Sequence, residues 1–312
     1  MNEINKTEQV LNSEFSIKDL GQLKYFLGIE IARSSKGILL YQRKYVLDLL
    51  AETCLLASKP CSTPMEYGKQ LLSIDTGTPL TNPTVYRRLM GKLLYLTHTR
   101  PDISFSVGHL SQFLSKPTDK HFEAAKRILR YIKGSISLGI FFPIISDFKI
   151  KAHTDSDWAA CPDSRKSISA YYFFIGNSLI SWKSKKQQVV ARSSAEAEYR
   201  AMALGACEAQ WLLYLLQDLQ IPHPQPVMLY CDNQSAIHIA SNPVFHERTK
   251  HIEVDCHSVR EKIEAGILHL LSIHTKSQTA DILTKSLSPQ LFHHFLSKLG
   301  MLNIHIPACG DC

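Results

Sequence analysis

Asp155, Glu198, Asp232 and Asp281 are the residues of this 312-residue chain best placed to do chemistry. Asp155 follows Phe148-Lys149-Ile150-Lys151-Ala152-His153-Thr154, whose alternation at period two argues a half-buried strand. Asp157 lies two residues on, so a continuing strand would point both side chains to one face. Either could serve as a ligand; Asp155 is nearer the regular strand. Ser193-Ser194-Ala195-Glu196 fits a capping box, which gives Glu196 a local task at a helix start. Glu198 has no such task. It stands on the leading edge of a small, apolar helix face made by Ala201, Met202, Gly205, Ala209, Leu212 and Leu216. Asp232 follows Met228-Leu229-Tyr230-Cys231 where strand passes to helix, a place that also suits an N-cap. Asp281 opens a short helix after Gln278-Thr279-Ala280. Acids gathered at one point repel each other unless cations or protons are shared among them. Hard oxygen donors in that number suit Mg²⁺, and the chemistry that follows is metal-assisted hydrolysis of a phosphodiester.

The elements that would carry these acids fall in a definite order. Strands are expected up to Asp155, over Ile168 to Ile175 and over Leu179 to Ser184, with Gly176-Asn177 as a two-residue turn. A helix is expected from about Ala195 to Leu219, stopped before Pro222. Then come a strand at Val227 to Cys231, helices at Gln234 to Ser241 and Asp255 to Ala265, a strand at Ile267 to Ile273, and a terminal helix from Ala280. A three-strand meander followed by alternation with helices predicts an α/β class, with a mixed five-stranded sheet flanked by helices. The part before it reads as a hairpin across Ser34-Ser35-Lys36-Gly37, a helix from Arg43 to Cys54, and a Pro-, Thr- and Ser-rich loop from Ser58 to Pro83. Amphipathic helices follow at Val85 to Thr97, Asp102 to Leu114 and Lys120 to Ile136. Lys126, Arg127, Arg130 and Lys133 read as a solvated face or as a phosphate-facing stripe. Gly134 to Ser146 is the boundary candidate. The division expected is 1–142, 147–290 and a tail at 291–312.

The composition limits the partners. A 45% hydrophobic and 20% charged chain can bury a core and is not of a disordered class. The formal charge of +7 favours a polyanion over a cation as partner. Eight scattered cysteines, a polar stretch from Met1 to Ser13 and no apolar run of membrane length argue reduced thiols in an intracellular protein, cytoplasmic or nuclear, with no membrane partner. Cys309-Gly310-Asp311-Cys312 is a close pair without a second pair or His spacing to support a metal site.

Taken together, the motifs around the acids resemble the ribonuclease H domain of copia-type retrotransposon Pol polyproteins. The matching runs are Thr154-Asp155-Ser156-Asp157-Trp158-Ala159, Ile180-Ser181-Trp182-Lys183-Ser184-Lys185-Lys186-Gln187-Gln188, Ser193-Ser194-Ala195-Glu196-Ala197-Glu198-Tyr199, Tyr230-Cys231-Asp232-Asn233-Gln234-Ser235-Ala236, Arg248-Thr249-Lys250-His251-Ile252 and Ala280-Asp281-Ile282-Leu283-Thr284-Lys285. The first part resembles the same polyprotein. Asp19 to Ile31 is similar to the segment that follows the polymerase active site, and Tyr86 to Leu96 with Thr99-Arg100-Pro101-Asp102-Ile103 is similar to the thumb and connection region.

The resemblance implies a ribonuclease H-like sheet preceded by a mostly helical thumb and connection remnant with a β-hairpin. It implies that Asp155, Glu198, Asp232 and Asp281 are both the catalytic set and the ligands of two Mg²⁺ ions, with Mn²⁺ as a substitute. It implies hydrolysis of the RNA strand of an RNA–DNA hybrid, with the remainder of a polyprotein as a further partner. Lys186, Arg248 and Lys250, with Lys183 and Lys185 beside them, would hold phosphates. Ser194 and Asn233 would meet the 2′-hydroxyls in the minor groove. His274 is the nearest counterpart of the histidine that many ribonucleases H place before the last aspartate. Reverse transcriptases carry a Tyr-x-Asp-Asp metal pair. No two adjacent aspartates occur in this chain, so no polymerase activity is expected.

Overall fold

Eight residues of central strand carry the first of the four acids, and the rest of the second half is arranged around that strand. The computed structural model describes residues 2–18, 21–144, 147–241 and 253–303. Strand β5 (Ile150–Asp157) pairs antiparallel with β6 (Ile168–Ile175), which pairs antiparallel with β7 (Ser178–Lys186). On its other side β5 runs parallel to β8 (Val227–Cys231), and β8 runs parallel to β9 (Leu268–Ser272). The resulting order, β7-β6-β5-β8-β9, is the mixed five-stranded sheet the sequence leads one to expect. The β6–β7 turn is Gly176-Asn177, with Gly176 at φ +57. Strand β5 ends two residues later than the alternation suggested, so Asp157 lies within it.

Helix α6 (Ser194–Asp218) crosses one face of this sheet. Its small side chains let it come close. A Cβ on Gly205 would lie 2.7 Å from the Thr154 methyl. Ser193 caps the helix by accepting the Glu196 N–H at 3.1 Å. The return half of the expected capping box is shifted by one residue, because Glu196 accepts from Arg192 N–H and pairs with Arg200. Helices α7 (Gln234–Ser241) and α8 (Glu253–Glu264) pack beside α6.

The opposite face of the sheet meets the first half of the chain. Helices α1 (Asn2–Phe15) and α2 (Arg43–Glu52) lie in that half, as do α3 (Pro83–Leu96), α4 (Ser104–Leu110) and α5 (Asp119–Lys133). Leu93, Val107 and Ile128 from α3, α4 and α5 share one apolar core with Ala170 and Tyr172 of β6 and with Ile282 and Leu283. The hairpin is larger than expected. Strands β1 (Tyr25–Phe26), β2 (Ile29–Ser34), β3 (Gly37–Tyr41), β4 (Leu138–Pro143) and β10 (Met301–Asn303) form a second five-stranded sheet, wholly antiparallel. Strand β4 lies inside the stretch read as a boundary, because its glycine hides the strand pattern. A Cβ on Gly139 would meet Leu40 O at 2.2 Å, so only glycine lets β3 and β4 approach there.

Three further corrections concern helices and the C-terminal stretch. The helix expected at Asp102 to Leu114 is α4 with a 3-10 turn at each end, the first of them opened by Pro101. The terminal helix expected from Ala280 is a 3-10 turn, Thr279–Leu283, and a separate helix α9 (Pro289–Leu296) follows. Residues 291–303 are not a tail. Phe292 and Phe295 are buried in the shared core, and β10 pairs with β4. Cys309 and Cys312 lie outside the described residues.

Candidate active site

All four acids meet where β5 and β8 end, the N-terminal turns of α6 cross, and the 3-10 turn Thr279–Leu283 closes the sheet. Asp155 is fully buried and accepts a hydrogen bond from the Thr284 hydroxyl. Lys285 bridges two of the acids, with Nζ 3.4 Å from Asp155 Oδ2 and 2.8 Å from Asp281 Oδ1. Glu198 comes from the α6 side. Its Oε1 accepts the Ser156 backbone N–H at 3.1 Å, which ties it to the residue after Asp155. Glu198, Cys231 and Asp232 each place a ligand-capable atom within 4.8 Å of the others.

The helix start that might have claimed Asp232 is capped by its neighbour. Asn233 Oδ1 accepts the Ala236 N–H at 3.0 Å, so Asp232 is left for the cluster. Asp157, further along the same strand, adjoins the group and interacts with both Lys285 and Asp155.

The electrostatics follow from burying several like charges together. Burial, then Asp155 and Asp232, push the Glu198 carboxyl well above its ordinary range. Asp281 is pushed up to about 7 by burial and Asp155, against the pull of Lys285. Asp157 is raised to about 6, mainly by burial. Burial disfavours the Lys285 charge, but Asp155 and Asp281 more than offset this and hold the ammonium above its ordinary value. Burial and Glu198 push the Cys231 thiol up, so it stays protonated and is a poor partner for a hard cation. A clustered set of carboxylate oxygens, buried and mutually repelling, is the donor set that Mg²⁺ or Mn²⁺ fits.

The residues expected to hold substrate fare unevenly. Ser194 is exposed at the first position of α6. Asn233 is half-buried, with its side-chain oxygen committed to the cap of α7. Lys186 is turned to the first half, donating to Gln112 Oε1 at 2.6 Å, rather than standing free for a phosphate. Lys183 and Lys185 are exposed. Arg248 and Lys250 lie outside the described residues. His274 is exposed, and its Nδ1 accepts the Lys276 N–H at 3.1 Å. Two participants were not singled out in the sequence. Lys285 carried a usable signal, four residues after Asp281, the spacing at which helical side chains meet. Thr284 carried none. Gln278, fully buried, joins the turn to the strand by donating to Thr154 O at 2.9 Å.

The first 67 residues match the family of reverse transcriptases (RNA-dependent DNA polymerases). The retrovirus-related Pol polyprotein from transposon RE1 of Arabidopsis thaliana is 45% identical over 301 residues, which is 96% of this chain and 20% of the relative. That from transposon RE2 of the same plant is 44% identical over 304 residues, 97% of this chain and 21% of the relative. The chain belongs to the retrovirus-related Pol polyproteins of copia-type transposons. It spans about a fifth of the length of these relatives. Among solved structures, a ribonuclease H1 isolated from compost is 18% identical and covers 48% of this chain and 99% of its own, with a TM-score of 0.32. The fold of this Pol segment rests on the strand order and register above, not on that superposition. The sheet carrying the acids is a mixed five-stranded sheet of order β7-β6-β5-β8-β9 within this Pol segment. Among the described residues no helix is long and apolar enough to cross a membrane.

Proposed function

We propose that this Pol segment hydrolyses the RNA strand of RNA–DNA hybrids, using Mg²⁺ held by Asp155, Glu198, Asp232 and Asp281. The observation that carries the reading is the meeting of these four acids at one end of the mixed sheet, with Lys285 as the cation bridging Asp155 and Asp281. When bound, divalent ions lower the pKa of an attacking water and stabilise charge on the leaving 3′ oxygen. The protein's own residues do the rest. Thr284 and the Ser156 N–H fix the orientation of Asp155 and Glu198. Lys285 offsets part of the repulsion within the cluster. Water adds to phosphorus and the P–O3′ bond breaks, leaving a 5′-phosphate and a 3′-hydroxyl. Lys183, Lys185, Arg248 and Lys250 are proposed to position phosphates, and Ser194 to meet a 2′-hydroxyl. The remainder of the longer Pol chain is the proposed protein partner.

A second reading is a nucleic-acid-binding remnant without activity. One observation favours it: Leu23, Tyr25, Phe26 and Leu27 are exposed along the edge of the first sheet, an apolar run suited to further protein. The two readings separate in one experiment, in which labelled RNA–DNA hybrid, RNA duplex and DNA duplex are each incubated with the chain and Mg²⁺. Cutting of RNA confined to the hybrid supports the nuclease. Binding without cutting by folded protein supports the remnant, and cutting of duplex DNA overturns the assignment of substrate.

A further inference from the structure

An apolar patch stands beside the acid cluster, exposed among the described residues. Trp158 follows Asp157 at the end of β5 and is 49% exposed. Val189 and Val190 are 47% and 51% exposed, in the segment that leads from β7 to α6. The indole joins these two places, because Trp158 Nε1 donates to Ala191 O at 3.0 Å. That bond satisfies the ring's only polar atom and fixes its orientation, so half of an aromatic face is held rigidly toward solvent. The turn that follows is fixed as well. Ala159 sits at φ +54, and its N–H donates to Ser167 Oγ at 3.1 Å.

Leaving three large apolar side chains half in water forfeits stability that fuller burial would supply. Exposed apolar groups clustered in this way mark an interaction site. The surrounding charge says what kind. From Lys183 to Ala195 there is no acid, while Lys183, Lys185, Lys186 and Arg192 are present. Lys183, Lys185 and Arg192 are exposed. An aromatic face bonded to a segment whose exposed charges are all cationic suits a sugar–phosphate chain, which carries apolar sugar faces between anionic phosphates.

We propose that Trp158, Val189 and Val190 form a shelf that seats the minor-groove sugar edge of the RNA–DNA hybrid next to the four acids. The shelf rests on the ribonuclease reading above and extends it to a specific binding contact. In a duplex the bases are already stacked on one another, so the indole meets the sugars. Its rigidity means that little ordering is needed on binding.

The test uses the full chain with Ca²⁺ replacing Mg²⁺, and hybrid binding read by fluorescence anisotropy. Trp158→Ala is expected to weaken binding by about tenfold, within the range known for aromatic contacts to nucleic acid. Trp158→Phe should stay within about threefold of wild type. Val190→Ser, at an exposed position with no role in the core, should weaken binding by an intermediate factor. Hybrid should also quench tryptophan fluorescence in the wild type and fail to do so in Trp158→Phe. Trp211, thirteen residues or about 20 Å of helix rise beyond Glu198, serves as control, and Trp211→Ala should bind like wild type. Wild-type affinity in Trp158→Ala overturns the shelf. So does quenching that persists in Trp158→Phe, or a Val190→Ser protein without effect while Trp158→Ala loses thermal stability and rate together. If hybrid is cut but the shelf variants bind normally, the shelf fails and the nuclease stands. If binding depends on Trp158 but nothing is cut, the nuclease fails and the shelf stands.

Discussion

At the scale of single residues, the site is a balance among buried acids and one lysine. The sign of its pH dependence follows from the shifts. Asp281 is raised to about 7, Asp157 to about 6, and Glu198 in the same direction. A carboxyl whose folded pKa exceeds its unfolded value contributes stability at low pH, and that contribution is lost as pH rises through the folded value. Glu52, Glu66 and Asp119 are held below their ordinary values, so what they contribute is lost only at more acid pH. Buried His109 and His153, held down to about 4, add the opposite slope up to about pH 6.5, so without divalent ions thermal stability should fall as pH rises from about 6.5 to about 8. Adding Mg²⁺ should raise the melting temperature more at the alkaline end, where protons no longer compete for the carboxylates. Calorimetry with and without chelator reads this directly; a Mg²⁺ effect that is equal at both ends would contradict it. The sequence singled out Glu198 because it had no other local task, and preferred Asp155 over Asp157 only because it lies nearer the regular strand. Asp232 was ambiguous until Asn233 was seen to take the cap. Lys285 was signalled by its spacing from Asp281, whereas Thr284 stayed hidden, because a hydroxyl near a turn is ordinary until the fold sets it against Asp155.

At the scale of elements, α6 is the part whose placement decides the site. It delivers Glu198 to the end of β5, and it can do so because its sheet-facing side is small. Gly205→Ala would set a methyl 2.7 Å from the Thr154 side chain, so the helix must move or the strand must yield. The expected cost is about 1–3 kcal/mol, as for overpacking elsewhere, read by urea unfolding. Hybrid cleavage should fall as well, since the same shift moves Glu198 away from the Ser156 N–H. Full stability in the variant would show that α6 does not need this close approach. Elements with a clear local pattern were readable, as β6, β8 and α7 show by matching their expected limits. Strand β4 and strand β10 were not. What makes them strands is pairing with partners a hundred residues or more away, which local pattern does not carry.

At the scale of the whole molecule, the two halves are stitched together more than a linear division suggests. The chain's last described strand, β10, returns to pair with β4 of the first sheet, and Phe292 and Phe295 fill the core between the helices and the acid-bearing sheet. Asp163 accepts the Ile74 N–H at 3.1 Å, and Lys186 reaches Gln112, so the loop after the first acid is also held by the first half. A chain ending at Leu287 should consequently unfold at lower denaturant and bind an apolar dye, because α9 and β10 are removed from a shared core. An excised piece covering 147–290 should do the same. Native-like unfolding of that piece would contradict the shared core and favour independent domains. The sequence divided the halves by their motifs and did not show their packing, since nothing in residues 291–303 marks them as belonging to the first sheet.

The most direct measurement is cleavage of a strand-labelled RNA–DNA hybrid by the whole chain, with Mg²⁺ or with chelator, in wild type and Asp232→Asn. The account predicts RNA cutting that requires Mg²⁺, leaves 5′-phosphate ends and falls by at least about a hundredfold in the variant, as expected when a charge-stabilising group at the reacting centre is removed. Folded wild-type protein that leaves the hybrid intact, or an Asp232→Asn protein that cuts as fast as wild type, would contradict it.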